Sequence, residues 1–325
     1  MASKDIQPIG VDVPHDVQRL IFEVAARLSI STAKALLTLC KYVYPWSVSI
    51  LLCMISIRLR LLTWLGIRIE AVLYESVVLR NQDEGIVFSR LCMDKPDSFF
   101  TARTKSLCCM ASVRSSDIVR ALRSCKEIKF LGVWNPDAAE DPSFTYMVSR
   151  LHLTRVSIGH ALFMALVFDS QPIMFPHATH FELILTFHPE DDALTIINSM
   201  PSLTHLCISW MFPSTGVDIV HYMTALSQNS QLKVILFLFD NLGFWLFQSW
   251  EGSPEYEWAD GSRDKRIVLG SDNPISEHHP LSSFVIPGPG RYFFKDWLYR
   301  LPGDFSGTWE AAEDVVARRT QELAI

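Results

Sequence analysis

A short pattern of apolar and polar positions recurs along the middle of the chain. Leu203, Leu206 and Ile208 are apolar, with two residues and then one residue between them. When the chain is aligned on Leu206, the same pattern recurs around five further apolar anchors: Leu107, Leu131, Val156, Phe181 and Ile235. Successive anchors are 24, 25, 25, 25 and 29 residues apart. The spacing therefore predicts a repeat in which each copy contributes one short strand.

The alternation of apolar and polar residues within each copy predicts which face of the strand is buried. Leu206 and Ile208 point to one face of a strand, and His205 and Cys207 point to the other. A single strand of this kind cannot bury its apolar face, but stacked copies share a continuous core. A fixed period of about 20–29 residues with this spacing is the leucine-rich-repeat signature. We therefore predict an α/β fold, a solenoid of parallel strands with outer helices.

Helical patterns lie about midway between the anchors, as this cycle requires. Apolar positions at helical spacing predict helices within 115–125, 189–200 and 214–226. The period stops after residue 239, and residues 251–290 are rich in Pro, Gly, Ser and charge around one brief strand at 266–269. A last helix, predicted from about 308 to 323, is expected to cap the open end of the solenoid.

Two further helical patterns precede the repeats, one beginning at Pro14 and one after Ser31. The first contains Val13-Pro14-x-Asp16 and then Leu20-Ile21-Phe22, which resembles the opening of an F-box. The family pattern usually has Leu and Glu where this chain has Val13 and Asp16. The resemblance is to the large fungal F-box-like family with leucine-rich repeats. It implies that an SCF adaptor subunit contacts four residues: Pro14, Leu20, Ile21 and Phe22.

An apolar insertion interrupts that resemblance. In the family, the Trp matched here by Trp46 is followed closely by a motif that this chain supplies only at Leu73, 27 positions after Trp46. Removal of 22 residues, 47–68, restores the family spacing. Two explanations stay open: a translated, unspliced intron of 66 nucleotides, or a genuine hydrophobic helix that packs on the repeats. The transcript sequence across this segment distinguishes them.

These patterns divide the 325-residue chain into four parts. Residues 1–46 form the all-α F-box-like module, and 47–72 the hydrophobic insertion and connector. Residues 73–250 form the leucine-rich-repeat solenoid. Residues 251–325 form an irregular loop with the final helix. A chain of this length exceeds one closed core, so a solenoid or several domains are expected.

Composition narrows the location and the partners. A net charge of −6 and a pI near 5.9 give no basic footprint, which argues against nucleic acid as a partner. Seven cysteines without a CxxC pair indicate buried, reduced thiols. The polar N-terminus has no secretory core, so we expect a cytoplasmic or nuclear protein that is not secreted. The apolar run 48–67 has the length of a membrane span. Inserting Arg58 and Arg60 at its centre into a bilayer would cost about 2.5–3.5 kcal/mol for each residue, so we do not expect a membrane span there.

The sequence contains no catalytic motif that we can identify, and we predict neither an enzyme nor a bound cofactor or metal. There is no G-x-S-x-G, no phosphate-binding glycine loop and no H-E-x-x-H. His177 and His180 are separated by two residues. Two ligands are too few for a metal site, and no third ligand is evident in the sequence.

A partner-binding surface is predicted on the strand face opposite the anchors. We call it the flanking face: Phe130, Gly132, Arg155, Ser157, His180, Glu182, His205, Cys207, Val234 and Leu236. Neighbouring strands lie about 4.8 Å apart, so Arg155, His180, Glu182 and His205 are expected to form one exposed polar patch on a concave surface. The alternative is that these are ordinary solvated strand residues, with Glu182 neutralising Arg155.

The resemblance and the repeats together imply a substrate-recognition adaptor of an SCF-type ubiquitin ligase. The N-terminal module would dock the adaptor subunit, and the solenoid would hold a protein substrate. The alternatives are a leucine-rich-repeat scaffold that serves no ligase, or a gene-model product without function.

Overall fold

The computed structural model divides into two compact units, Met1–Tyr74 and Glu75–Ile325. The structure describes residues 74–169, 175–185, 191–210, 219–239, 254–271, 284–287 and 306–322. The F-box-like positions Pro14, Leu20, Ile21 and Phe22 and the apolar run 48–67 lie outside these residues. Within the described ranges, no helix combines the length and the apolar character needed to cross a membrane.

In the described part of the second unit, nine strands form one parallel sheet and pair strictly in chain order. The strands are β1 Ser76–Leu79, β2 Ser106–Cys109, β3 Phe130–Val133, β4 Arg155–Gly159, β5 His180–Leu185, β6 His205–Trp210, β7 Val234–Phe239, β8 Ile267–Ser271 and β9 Val285–Pro287. Because each strand pairs only with the copies before and after it, the arrangement is a solenoid-like α/β fold, as the repeat predicts.

The anchors form one continuous ladder across the sheet. Backbone register places the following residues side by side: Leu107, Leu131, Val156, Phe181, Leu206 and Ile235. None of them is more than 2% exposed. The predicted repeat is therefore confirmed at the level of individual residues.

Nine α-helices of the described ranges accompany the strands. They are α1 Gln82–Asp94, α2 Asp97–Arg103, α3 Ser115–Ser124, α4 Pro142–Ser149, α5 His160–Asp169, α6 Asp191–Ser199, α7 Ile219–Ser227, α8 Pro254–Ala259 and α9 Ser306–Glu322. A 3₁₀ helix, Pro136–Glu140, precedes α4. The three helices predicted between anchors correspond to α3, α6 and α7.

The main core lies between the anchor side of the sheet and these connecting helices. The ring of Phe163 in α5 lies 5.3 Å from that of the anchor Phe181, measured between centroids. Tyr222 in α7 packs in the same way on Trp210, at 5.8 Å. The anchor face is thus sealed by helices that belong to the repeats themselves.

A ladder of threonines fixes the register where β4, β5 and β6 begin. The backbone N–H of Thr179 donates to the carbonyl of Thr154 at 2.9 Å, and the N–H of Thr204 donates to the carbonyl of Thr179 at 3.0 Å. Their hydroxyls donate to the same two carbonyls, at 3.1 Å and 3.2 Å. The N–H groups of His180 and His205 donate to these carbonyls as well, so each copy is tied to its predecessor by three hydrogen bonds at this point.

The sheet continues past residue 250, where the loss of the repeat led us to end the solenoid. Ile267 of β8 stands beside the anchor Ile235, and β8 then pairs with β9. The segment between β7 and β8 contains α8. Strand pairing needs only an extended segment in register, so it persists after the sequence period has been lost.

The last helix is not the end cap that its position in the sequence predicts. Instead of capping the open end, α9 packs on the flanking side of the sheet. The contact is a hydrophobic cluster in which Trp309, Ala312 and Val315 meet Cys207, Val234, Leu236, Leu238, Val268 and Ile286. The flanking positions of the last strands are apolar, and covering them removes that surface from water.

Candidate functional site

The four polar residues singled out on the flanking face lie on three adjacent strands. Arg155, His180 and His205 stand side by side on β4, β5 and β6. Glu182 occupies the parallel row, between Ser157 and Cys207. The patch predicted from the repeat is therefore assembled by the register of the sheet.

The patch is not exposed, which corrects our expectation. Arg155 and His205 are 7% and 8% exposed and Glu182 is 8% exposed, while His180 is half-buried. Helix α9 provides part of the burial, because the ring of Trp309 packs against both histidines. The repeat specified which residues share a row, but it carried no information on which segment would lie over them.

Trp309 of α9 is the centre of this cover. The imidazoles of His180 and His205 are stacked, with centroids 4.2 Å apart and an interplanar angle of 6°. The indole meets both rings edge-on, with centroids 5.3 Å and 5.8 Å away. The guanidinium carbon of Arg155 lies 6.0 Å from the same indole ring. Trp309 thus contacts residues of three strands at once.

Glu313, one turn further along α9, joins the same cluster. Its Oε1 lies 2.8 Å from Nε2 of His205, and its side chain is 49% exposed. Ligand atoms of His180, His205 and Glu313 all lie within 4.8 Å of one another. Glu313 is not evident as a neighbour of the histidines in the sequence, because it is 108 residues from His205. His177, the other histidine of the His177-x-x-His180 pair, packs instead on His152, with ring centroids 4.9 Å apart.

Both histidines are held neutral at neutral pH. Burial lowers the pKa of His180 to about 3, and the neighbouring His205 and Arg155 act in the same direction. Burial also lowers the pKa of His205, although the charge and the hydrogen bond of Glu313 oppose that change. Neutral imidazole is the form that accepts a hydrogen bond or binds a metal.

Arg319 fixes the far end of α9 to the sheet. Its guanidinium donates to the carbonyl of Ile267 at 2.6 Å and also to the carbonyl of Ala259. Its burial, at 7% exposure, lowers the pKa of the guanidinium. Gly261 lies against it with a φ of 85°, and a Cβ there would stand 2.8 Å from Cδ of Arg319. Trp309 and Arg319 therefore hold the helix at two separate points.

The cysteines of the described ranges are core residues, as the sequence indicates. Five thiols are buried: Cys92, Cys108, Cys109, Cys125 and Cys207. Burial raises the pKa of Cys125 to about 12, and it raises those of Cys108 and Cys109 as well. These thiols are therefore protonated and poorly nucleophilic at neutral pH.

A second feature, an open cleft, lies at the amino ends of the strands. A cleft of about 710 Å³ is lined by residues that precede β3 and β4. Its charged residues are Arg123, Lys126, Glu127, Lys129 and Arg150. Four cations against one carboxylate give this cleft a basic character that the overall charge of the chain does not show.

Comparison with models of protein families, with curated proteins and with solved structures gave no match to this chain.

Proposed function

We propose that this chain is a non-catalytic protein-interaction scaffold of the leucine-rich-repeat type, and that it serves as a substrate-recognition adaptor of an SCF-type ubiquitin ligase. The observation that carries the scaffold role is the flanking face. It is a sheet surface on which the chain already docks one amphipathic helix, its own α9.

The leucine-rich-repeat assignment rests on the anchors and their spacing. Three consecutive steps of 25 residues coincide with three consecutive strand pairings in exact register. Repeats of this kind bind partners on their strand surfaces. The connecting helices, which pack against the anchor face of the sheet, are also in the position that this kind of repeat requires.

The way in which α9 is held supports a particular kind of partner. Trp309, Ala312 and Val315 occupy one helix face at intervals of three residues and enter the flanking face. Recognition by such anchors is the helix-in-groove mode. We expect a substrate segment that forms an amphipathic helix with an aromatic anchor, and that competes with α9 for the same surface.

A labelled peptide with the sequence of residues 306–322 tests this directly. The full chain carrying Trp309→Ala should bind the peptide, because its own helix is weakened, whereas the wild-type chain should bind much less. Ala317→Asp is the matched control, since Ala317 is exposed on the same helix. A peptide carrying the same Trp-to-Ala change should not bind. Equal binding by wild-type and Trp309→Ala chains would refute the proposed groove.

The ligase role rests on the resemblance of Pro14, Leu20, Ile21 and Phe22 to an F-box. Purified full chain and purified SCF adaptor subunit should form a complex that Ile21→Asp abolishes. Val87→Asp is the control, because Val87 is an apolar residue that is 56% exposed elsewhere in the chain. If the unmodified chain formed no complex with the adaptor subunit, the ligase role would be refuted and the scaffold role would remain.

A further inference from the structure

The basic cleft at the amino ends of β3 and β4 has the dimensions of a binding site. Its volume of about 710 Å³ is within the range of about 300–1,000 Å³ that ligand sites usually have. Two successive copies of the repeat form it, because Arg123, Lys126 and Lys129 precede β3 and Arg150 precedes β4. No residue of the flanking face or of α9 lines it. The cleft is therefore a different surface from the one that α9 covers.

The positive charge of the cleft is not neutralised by its surroundings. Within the described residues, none of its four cations makes an ion pair with a carboxylate. Glu127, the carboxylate of the lining, is exposed and makes no ion pair there either. The excess is local, because acidic residues outnumber Lys and Arg by 35 to 29 in the whole chain. A concave surface with one sign of charge raises the local concentration of ligands of the opposite sign.

Helix ends account for only part of this charge. Arg123 lies in the last turn of α3, and Arg150 directly follows α4. The helix dipole favours a cation at such a terminus, where it amounts to about half a negative charge. Two helix ends therefore offset about one of the four cations. Lys126 and Lys129 lie beyond α3, in the connection to β3, and are not needed to complete a helix end.

Two of the cations are held in place before any ligand binds. The carbonyl of Lys129 accepts the N–H of Thr154 at 2.8 Å, so its backbone belongs to the ladder between copies. The side chain of Arg150 is held by Tyr146. Its Nη1 donates to the phenol oxygen, and its guanidinium carbon lies 5.3 Å from the centre of the ring. Donors that are already ordered lose less conformational entropy when a ligand binds.

The rest of the lining indicates what kind of anion fits. Ile128, Met147 and Leu151 add apolar surface to the cleft, and Met147 is the most accessible of the three. Three of the four cations are exposed, and they are distributed over two copies of the repeat. This arrangement fits carboxylates that are spaced along an extended chain with an apolar side chain among them. A compact phosphate fits it less well, because it needs donors that converge on one point.

The aromatic residue beside the cleft argues for protein rather than nucleic acid. Single-stranded nucleic acids bind in basic grooves when their bases stack on aromatic side chains. Tyr146 is 58% exposed, but Arg150 already lies against its ring. A base would have to displace that guanidinium in order to stack.

We propose that the basic cleft binds an acidic segment of a partner protein. Carboxylates of the segment meet Lys126, Lys129 and Arg150, and an apolar side chain between them contacts Met147. This interaction goes beyond the proposed adaptor role. It uses neither the F-box-like positions nor the flanking face, so it stands even if both of those proposals fail.

Fluorescence anisotropy with the full chain and a labelled peptide, Glu-Asp-Glu-Leu-Glu-Asp-Glu, tests the cleft. The wild-type chain should bind one peptide. Lys126→Glu/Arg150→Glu should weaken binding by roughly 30-fold, which corresponds to the loss of two exposed ion pairs. Arg90→Glu/Arg318→Glu is the matched control, because it changes the net charge equally at two exposed residues outside the lining. It should bind within about twofold of the wild type at physiological salt, where distant charges are screened.

Two altered peptides separate the contributions of charge and apolar contact. The peptide with amides in place of all its carboxylates should not bind measurably. The peptide with serine in place of leucine should bind about fivefold less tightly, since it loses a partly buried apolar group.

Several results would overturn the proposal. Equal binding by the two double variants would place the peptide elsewhere on the chain, and tight binding of the amide peptide would show that charge does not determine recognition. An oligouridylate of the same net charge is the nucleic-acid probe. If it bound more tightly than the acidic peptide and lost affinity in Lys126→Glu/Arg150→Glu, the cleft would be a nucleic-acid site instead. Absence of binding to the wild-type chain would equally refute the proposal.

Discussion

The indole of Trp309 meets the imidazole of His180 at an interplanar angle of 87°, with ring centroids 5.3 Å apart. Edge-on aromatic contacts of this kind contribute about 0.5–1.5 kcal/mol beyond the burial of the rings. The two residues are 129 positions apart in the chain. This contact places the last helix over the surface that the repeat leaves uncovered.

Replacement of Trp309 by alanine should destabilise the chain by about 3–5 kcal/mol, because it removes a large buried ring and leaves a cavity. Urea denaturation measures the loss. Limited proteolysis should show earlier cleavage within 306–322, since the helix would leave the sheet more often. Trp309→Phe keeps most of the buried ring and should lose less than half as much. A Trp309→Ala variant with wild-type stability would contradict this packing.

Replacement of Arg319 by methionine should lower the free energy of unfolding by about 2–3 kcal/mol. Hydrogen bonds to charged groups contribute about 1.5–3 kcal/mol, and the variant leaves the carbonyls of Ile267 and Ala259 without this donor. Arg318 is adjacent and exposed, so Arg318→Met should change stability by no more than about 0.5 kcal/mol. Equal effects of the two changes would show that Arg319 acts only through its charge.

Replacement of Gly261 by alanine should destabilise the same junction. The left-handed backbone at φ 85° costs a side-chain-bearing residue about 1–2 kcal/mol, and the new methyl group would displace Arg319. The destabilisation that comes from displacing Arg319 should vanish in a chain that also carries Arg319→Ala. A double-mutant cycle measures it. Additive losses would show that Gly261 matters only for its backbone.

Stability should fall as the solution is acidified, partly through His180. Its pKa in the folded chain, about 3, lies below the value of about 6.5 expected in the unfolded chain. The unfolded state therefore takes up the proton first, and the contribution is complete above pH 6.5 and decreases below it. His180→Gln should reduce the slope between pH 7 and 5 by up to about 1.4 kcal/mol per pH unit.

Urea denaturation at several pH values measures that slope. His152 is exposed, and His152→Gln serves as the control that should leave the slope nearly unchanged. An identical slope in wild type and His180→Gln would show that His180 takes up its proton as easily in the folded chain as in the unfolded one.

The sequence by itself determined the anchor ladder. Residues such as Val156, Phe181 and Leu206 recur at a fixed step, and each strand pairs only with its neighbours, so local spacing translates directly into register. For the same reason it placed Arg155, His180 and His205 side by side. It also located the helices between the strands from their own apolar periodicity.

Only the tertiary structure decided what covers the flanking face. Trp309 and Glu313 reach His180 and His205 through the docking of a distant helix, and such docking depends on complementary surfaces rather than on sequence spacing. The same docking covers part of a patch that was expected to be exposed, and it brings Glu313 to His205. Periodicity describes contacts between successive copies, and α9 belongs to none of them.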